Sequence, residues 1–415
     1  MQRSMERTIL HVDMNNFYAS VECMNAPELK KYPVAVCGDV EERHGIVLAK
    51  NYKAKAFGVS TGEAIWQAKQ KCKDLVIVPP HYDQYMKYSL LAKEIYGRYT
   101  DLVEPFGMDE CWLDVTGSIR ALGSGEHMAE EIRRTVTKEL GLTVSIGVSF
   151  NKIFAKLGSD MKKPDAITVI PKETFREQIW HLPASDMLGV GRATEKKLSS
   201  IGIRTIGDLA RWPLEYCQNK FGKCGVDIWR FANGLDTSAV VTRDTEALDK
   251  SCGHGITTLQ DLEDDAEVWK VILELSQEIG HRLTVYHKKA SGIAIAIRDN
   301  KLFNKQWQCG IPLATQSPSY IAKEAFSLFC RNYNWPAPIR SVTVRAINLV
   351  SLDTPSQLNL FVDAERLAKA EALDRCVEDL RSRYGKHIIR NACLLDNPKM
   401  PDYEHKVIMP TGIPV

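Results

Sequence analysis

At 415 residues the chain is too long for one ordinary hydrophobic core, and about two to four domains are expected. A composition of 44% hydrophobic and 26% charged residues, without low-complexity tracts, is that of a globular protein, and a net charge of +2 excludes a uniformly basic chain while leaving local patches open. No charged-then-apolar leader opens the sequence and no apolar run is long enough to span a bilayer, so a cytoplasmic location is expected. The 11 cysteines, odd in number and without a Cys-x-x-Cys pair, favour neither a disulfide framework nor a zinc site.

The opening residues read strand, turn, helix: "TILHV" runs into Asp13, turns through Met14-Asn15-Asn16 and reaches the adjacent aromatics Phe17 and Tyr18. Residues 26–80 hold short pieces, with "YPVAVCG" and "GIVLAKNYKAKAFGV" predicting a strand and a strand-to-helix step and "AIWQAKQKC" a helix. Leu91, Ile95 and Tyr99 fall at helical spacing and predict a helix over Gln84–Tyr99. "LVEPFGMDECWLDVTGS" bends at Pro105 and Gly107 between two β-rich runs, the pattern of a hairpin. Glu130–Leu140 reads as a helix and "LTVSIGVSF" as a strand, so this region is an α+β sheet domain covered on one face. After Lys163-Pro164 the periodicity over 171–235 is helical with short glycine turns, and the polar stretch 236–250 reads as a linker. From His254 to Val350 the alternation returns in "SGIAIAIRD" and "IRSVTVRAINLV", with two helical stretches, predicting a second α+β domain. The last 65 residues carry a short motif, an amphipathic helix over Ala364–Arg383 and a polar, proline-containing end expected to be disordered.

Asp13 closes one strand and Asp109-Glu110 follow the Pro-Phe-Gly bend of the hairpin. A lone acid at a strand end is ordinarily just solvated. Adjacent carboxylates set among core residues repel each other and lose hydration, and persist only with a compensating cation. Hard oxygen donors with room for water and phosphate suit Mg²⁺ better than zinc, and two such ions support phosphoryl transfer. Phe17-Tyr18, read alone, is an aromatic core pair at a helix start. Each lysine read alone is a solvated cation, including Lys152 and Lys156, four apart on one helix face and expected to face solvent.

Five segments alter these readings: "VDMNNFYASVE", "NYKAKAFGV", "VEPFGMDECWLDVTG", "SIGVSFNKIFAKLGSDMKKPDAI" and "LGVGRATEKKLSSIGIRTIGDLA". Together, across residues 6–350, they make the chain resemble the Y-family (translesion) DNA polymerases, most nearly the bacterial DNA polymerase IV type. The resemblance implies an α+β multidomain right hand. It would have a palm with a ferredoxin-like mixed sheet over 1–22 and 81–170, small fingers over 23–80, and a helical thumb with a helix–hairpin–helix over 171–240. An α+β little finger over 248–350 and a tail over 351–415 would complete the chain. The implied activity is that of a DNA-directed DNA polymerase adding dNTPs to a primer 3′ end with two Mg²⁺ ions, at low fidelity and without proofreading, in translesion synthesis.

By the same resemblance Asp13, Asp109 and Glu110 would be the catalytic metal ligands, helped by the backbone carbonyl of Met14. The family often has Ser-Ile-Asp-Glu where this chain has Gly107-Met108-Asp109-Glu110, which removes a hydroxyl from any serine-mediated proton step and leaves the metal site intact. Tyr18 would be a steric gate beneath the incoming sugar, with Phe17 beside it, and Tyr52, Lys55 and Lys163 would contact the triphosphate. Lys55 stands where arginine is common and supplies a point charge in place of a bidentate fork. Ala49 and Gly62 leave an open roof over the base pair.

Gly189 and Gly191 in "LGVGRATEKKL" fit a helix–hairpin–helix turn that lets backbone amides approach a DNA phosphate; the same glycines also fit a plain turn between packed helices. From His281 to Val350 ten Lys/Arg stand against Asp299 and Glu324, a local charge of +8 suited to phosphate, with Lys288, Lys289, Arg298, Arg340 and Arg345 as candidate DNA contacts. "QLNLF" at 357–361 is similar to the bacterial sliding-clamp motif, in which Gln357, Leu358, Leu360 and Phe361 would enter the clamp groove; the other reading is the apolar start of the next helix. The expected partners are primer–template DNA, dNTP and the bacterial β sliding clamp, with the chain itself a monomer. A non-catalytic translesion scaffold would have lost the carboxylates, and a palm-type nucleotidyl cyclase would leave the basic domain unexplained.

Overall fold

The computed structural model describes residues 6–39, 45–242, 250–355, 364–395 and 399–400, and divides into two compact units, one formed chiefly by 6–38 and 46–242 and the other by 250–400. The first runs β1 (Ile9–Met14), α1 (Phe17–Asn25), β2 (Val34–Cys37), β3 (Val47–Lys50), α2 (Tyr52–Ala56), α3 (Ile65–Lys71), β4 (Val76–Val78), α4 (Tyr82–Tyr96) and β5 (Val103–Pro105). It continues through β6 (Glu110–Asp114), α5 (Ile119–Leu122), α6 (Gly125–Leu140), β7 (Val144–Ser149), α7 (Lys152–Met161) and β8 (Ile167–Ile170), then α8 (Phe175–Ile179), α9 (Arg192–Ser199), α10 (Ile206–Arg211) and α11 (Leu214–Ala232).

Strand β1 lies at the centre of a mixed sheet of order β5-β6-β1-β7-β8, antiparallel to both neighbours, while β8 joins β7 in parallel. Every residue of β1 is buried, which is why its sequence is a near-continuous apolar run. Leu10, Val12 and Met14 pack with Ile95, Tyr96, Met128 and Ile132 beneath α4 and α6. The alternate residues Ile9, His11 and Asp13 face α7. Gly147 of β7 permits that approach: a Cβ there would stand 1.8 Å from the Ala155 carbonyl oxygen. The other side of α7 places Ile153, Phe154 and Leu157 in a core with Phe175, Ile179, Leu209 and Ile228 of the helical region. A small sheet of order β3-β2-β4 forms around Ala35, Val47, Ala54 and Ile65.

The described start of the expected linker is tied down. Val240 is buried with Ile9, Trp112 and Ala155, Arg7 donates to the Ser238 carbonyl at 2.8 Å, and the Val241 amide donates to Glu104 at 3.0 Å.

The second unit comprises β9 (Ser251–Leu262), α12 (Asp265–Val285), β10 (Lys288–Asp299), β11 (Asn304–Thr315), α13 (Pro318–Asn332), β12 (Ile339–Ser351) and α14 (Ala364–Tyr384), its antiparallel sheet ordered β11-β10-β12-β9. Ile293, Ile295, Ile297, Val342 and Val344 share a core with Val271, Ile279 and Phe329 of α12 and α13. The opposite face carries small and polar rows, Gln308–Ala294–Arg345–Gly253 and Gln306–Ala296–Thr343–Gly255. Helix α14 is present, but its described contacts are polar where an apolar stripe was expected: Thr315 donates to Glu371 at 2.6 Å, Ser319 to Asp374 at 3.0 Å and Arg381 to Gln277 at 2.6 Å, while Leu373 is exposed. Part of the end expected to be disordered folds back, with Leu394 buried in the core and the Leu259 amide donating to the Lys399 carbonyl at 2.8 Å. All eleven cysteines are free thiols. Among the described residues no helix is long and apolar enough to cross a membrane.

Candidate active site

Strands β1 and β6 pair so that Asp13 faces Glu110 and His11 faces Trp112, and all four side chains project toward α7. Asp109 lies one residue before β6, and its carbonyl accepts from the Met14 amide at 3.0 Å, tying the hairpin bend to the end of β1. Gly107 has φ +91°, a conformation that suits glycine and would strain a serine in its place.

Asp13 is only 6% exposed, and burial, reinforced by Glu110 and Asp109, lifts its carboxyl to about 7 against the pull of Lys163. Burial, with Glu110 beside it, takes Asp109 to about 6. Glu110 goes the other way: burial opposes its charge, but His11 and Lys156 outweigh it and hold the carboxyl at about 2. The Lys163 ammonium lies 2.7 Å from Asp13 Oδ2 and 2.8 Å from Asp160 Oδ1. Lys156 reaches Glu110 Oε2 at 2.5 Å and Asp160 at 3.6 Å. Burial works against the charge of Lys163, yet Asp13 and Asp160 keep it well above the ordinary lysine value.

Residues that the sequence pattern left unassigned hold this site. His11 is fully buried between the Ser159 hydroxyl (Nδ1–Oγ 2.8 Å) and Glu110 (Nε2–Oε2 3.1 Å), the latter contact not aligned as a hydrogen bond, and burial drives its ring toward the neutral form. Lys152 and Lys156 do not face solvent as expected. Lys152 is buried, pairs with Glu104 at 2.6 Å and lies 4.4 Å above the Trp112 ring. The cause is α7, which turns this helix face onto the side of the sheet that carries Glu104, Glu110 and Asp13. The i, i+4 lysine spacing opposite a carboxylate-bearing hairpin was the available signal.

Among the described residues no three His, Cys, Asp or Glu side chains converge closely enough, as placed, to hold an ion. Asp13 and Glu110 are instead engaged by ammonium groups, while no ion pair reaches Asp109 among the described residues. Three carboxylates (Asp13, Glu110 and the exposed Asp160) thus share two lysines (Lys156 and Lys163), and Asp109 adds a fourth, leaving an excess of hard anionic oxygen. That donor set fits a divalent cation.

Helix α1 starts from Asn16, which takes a left-handed backbone (φ 48°) that asparagine tolerates. Tyr18 then stacks flat on Tyr85, with centroids 4.2 Å apart and planes 8° apart, and donates to Met108 Sδ at 3.1 Å. Burial pushes the Tyr18 phenol up to about 12, so it stays neutral. Phe17 is 3% exposed and belongs to the core behind this shelf. Tyr85 in turn donates to the buried Glu22, which also meets His81 at 3.0 Å. Tyr52 starts α2, close enough to Asp13 and Lys163 for both to act on its phenol, while Lys55 stands one turn on, 5.6 Å from the Tyr52 ring and exposed. The first unit therefore brings together Asp13, Met14, Asp109, Glu110, Tyr18, Tyr52 and Lys163, with Lys55 at the rim.

Gly189 has φ +90°, Gly191 precedes α9 with open space where a Cβ would be, and both residues are exposed. In the second unit, strand alternation places Arg298 and Arg345 on the open polar face, Arg340 falls at the register shift between Ile339 and Ser341, and Lys288 and Lys289 lie beyond a break in the alternation, where Ala290 and Leu349 both turn into the core. Arg282 is spent on Glu278 at 3.1 Å. Gln357, Leu358, Leu360 and Phe361 lie outside the described residues.

Carboxylates on adjoining central strands, backed by helix lysines and fronted by a tyrosine shelf, suit phosphoryl-transfer chemistry. Residues 12–160 match the model of the impB/mucB/samB family, 249–360 that of its C-terminal domain, and 185–236 that of the DNA polymerase-iota thumb domain. DNA polymerase IV of Acetivibrio thermocellus is 48% identical over 393 residues, covering 95% of this chain and 98% of that one. DNA polymerase IV 1 of Bacillus subtilis is 38% identical over 397 residues, 94% and 93% of the two chains. A solved chimera of the Y-family DNA polymerases Dbh and Dpo4 shares the fold with a TM-score of 0.73 at 22% identity, over 83% of this chain and 99% of its own. The chain belongs to the Y family of DNA polymerases, of the bacterial DNA polymerase IV type, and is a DNA-directed DNA polymerase of the translesion class.

Proposed function

We propose that the chain extends a primer 3′ end with dNTPs by a reaction dependent on two Mg²⁺ ions, at low fidelity and without proofreading. The observation that carries this reading is the register of β1 on β6, which opposes Asp13 and Glu110 beside Asp109 in a buried, carboxylate-rich pocket. Asp13, Asp109, Glu110 and the Met14 carbonyl would hold the metal, which when bound activates the attacking oxygen and neutralises charge on the leaving pyrophosphate. The protein's own contribution is orientation: His11 and Lys156 fix Glu110, and Lys163, with Tyr52 and Lys55, holds the triphosphate. The flat Tyr18 ring, seated on Tyr85, supports the sugar and leaves no room for a 2′-hydroxyl.

In the same reading the residue ranges given above act as palm, fingers, thumb and little finger. The amides at Gly189 and Gly191 and the polar sheet face bearing Arg298 and Arg345 grip DNA phosphates, with Lys288, Lys289 and Arg340 at the margins of that face. The segment 357–361 docks the monomeric enzyme on the β sliding clamp, in the cytoplasm. Primer extension with Mg²⁺ and dNTPs, on damaged and undamaged templates, tests the central claim. Asp109→Ala/Glu110→Ala is expected to lose extension while keeping DNA binding, and equal extension by the variant and the parent would overturn it.

A further inference from the structure

Asn15 follows Met14 directly and is 2% exposed, yet nothing in the reaction as derived uses it. All its polar groups are engaged. Its amide donates to the Thr143 carbonyl at 2.9 Å and its own carbonyl accepts from the Ser20 hydroxyl at 2.7 Å. Its side-chain Nδ2 donates to Ser145 Oγ of β7 at 2.9 Å, and its Oδ1 accepts from the Asp165 amide at 2.9 Å. That last bond is the informative one. Asp165 belongs to the exposed turn between α7 and β8, takes a left-handed backbone (φ 53°), and is gripped from the outside by Arg133 at 2.8 Å. Two residues upstream in the same turn, Lys163 sends its ammonium to Asp13. A surface turn whose side chain must reach a buried carboxylate needs a fixed base, and a buried hydrogen bond from within the sheet supplies one.

We propose that Asn15 is a positioning residue for Lys163. It clamps the Lys163-Pro164-Asp165 turn against the ends of β1 and β7, so that the ammonium stays over Asp13 and in reach of the triphosphate. The second half of this statement rests on the reading of Lys163 as a phosphate contact; the first half does not. The chain thus carries, in consecutive residues, a carboxylate, a backbone carbonyl and the anchor of the lysine that serves the same site.

The test uses the full chain with three variants. Asn15→Leu keeps the size and removes both side-chain hydrogen bonds; Asn15→Asp keeps an acceptor opposite the Asp165 amide and lets the Ser145 hydroxyl turn to donate; Lys163→Met removes the ammonium. Hydrogen exchange at the Asp165 amide and reductive methylation of Lys163, both read by mass spectrometry without metal or nucleotide, should be slow in the parent and in Asn15→Asp. Both should accelerate by about tenfold or more in Asn15→Leu. In primer extension, Asn15→Leu should raise the dNTP KM by about tenfold with a smaller change in kcat, Asn15→Asp should restore it, and Asn15→Leu/Lys163→Met should be no worse than Lys163→Met alone. Unchanged exchange and methylation in Asn15→Leu would overturn the proposal. So would a fall in kcat in proportion to lost folded protein with KM unchanged, when Lys163→Met does raise KM. If Lys163→Met itself leaves the dNTP KM unchanged while exchange and methylation respond to Asn15→Leu, the phosphate role of Lys163 fails and the clamping role of Asn15 stands.

Discussion

The charged form of Asp13 is held at a cost in stability. Its folded carboxyl titrates near 7, against 3.8 for an unperturbed aspartate, so the folded chain binds that proton more tightly than the unfolded one. The sign follows: stability from this group is complete below about pH 4, falls as pH rises to 7, and is flat beyond, by at most about 4 kcal/mol. Asp109 adds a loss of the same sign that ends near pH 6. Asp13→Asn, in EDTA, is therefore expected to melt close to the parent near pH 4 and progressively above it up to pH 7, since Lys163 keeps Asp160 as a partner. Thermal melts across that range check it, and a gap that shrinks with rising pH would contradict it. Tyr18 supports a second expectation at this scale. Tyr18→Ala removes the ring seated on Tyr85 and should raise ribonucleotide incorporation by about tenfold or more while leaving DNA affinity unchanged, as read by single-nucleotide extension with matched rNTP and dNTP. Unaltered sugar discrimination would return Tyr18 to the role of a core aromatic.

The elements with strong internal patterns were legible, and those defined by neighbours were not. The strand into Asp13, the hairpin around Pro105 and Gly107 and the helices α4, α6, α12 and α13 follow from periodicity and turn residues, although α6 begins at Gly125, five residues before the expected Glu130. Strands β4 and β8 are only three and four residues long and owe their existence to parallel pairing with β2 and β7, which no local pattern announces. β9 and β11 alternate glycine, glutamine and threonine on a polar face, so half of their signal is missing. The carboxylates of the site could be found from their motifs, but His11 could not, and Lys156 offered only its spacing from Lys152: both acquire their roles when α7 lies on the sheet. That docking depends on Gly147. Gly147→Ala would drive a methyl group into the Ala155 carbonyl, displace α7 and cost roughly 3 kcal/mol or more, with loss of extension activity. Gly117→Ala, where the added methyl meets nothing, is the control and should stay within about 0.5 kcal/mol. Denaturant melts decide between them, and a Gly147→Ala chain as stable as the parent would mean that α7 does not need that close approach.

Across the whole molecule the charge is nearly balanced, yet 281–350 alone holds +8, so the remainder is net acidic by about 6. The second unit separates its faces cleanly: isoleucines and valines turn toward α12 and α13, and the other side is glycine, alanine, serine, threonine and glutamine around Arg298 and Arg345. Small side chains let a phosphate backbone lie close to such a sheet. The arginines on that face are placed to contribute to counterion release, whereas Arg282 is already paired with Glu278. Arg298→Ala/Arg345→Ala should weaken primer–template binding by a similar factor on unrelated sequences and flatten the slope of log affinity against log salt by about 2. Arg282→Ala should leave that slope unchanged. Fluorescence anisotropy titrations at several salt concentrations give both slopes, and a slope unaffected by the double substitution would mean that this face does not meet DNA.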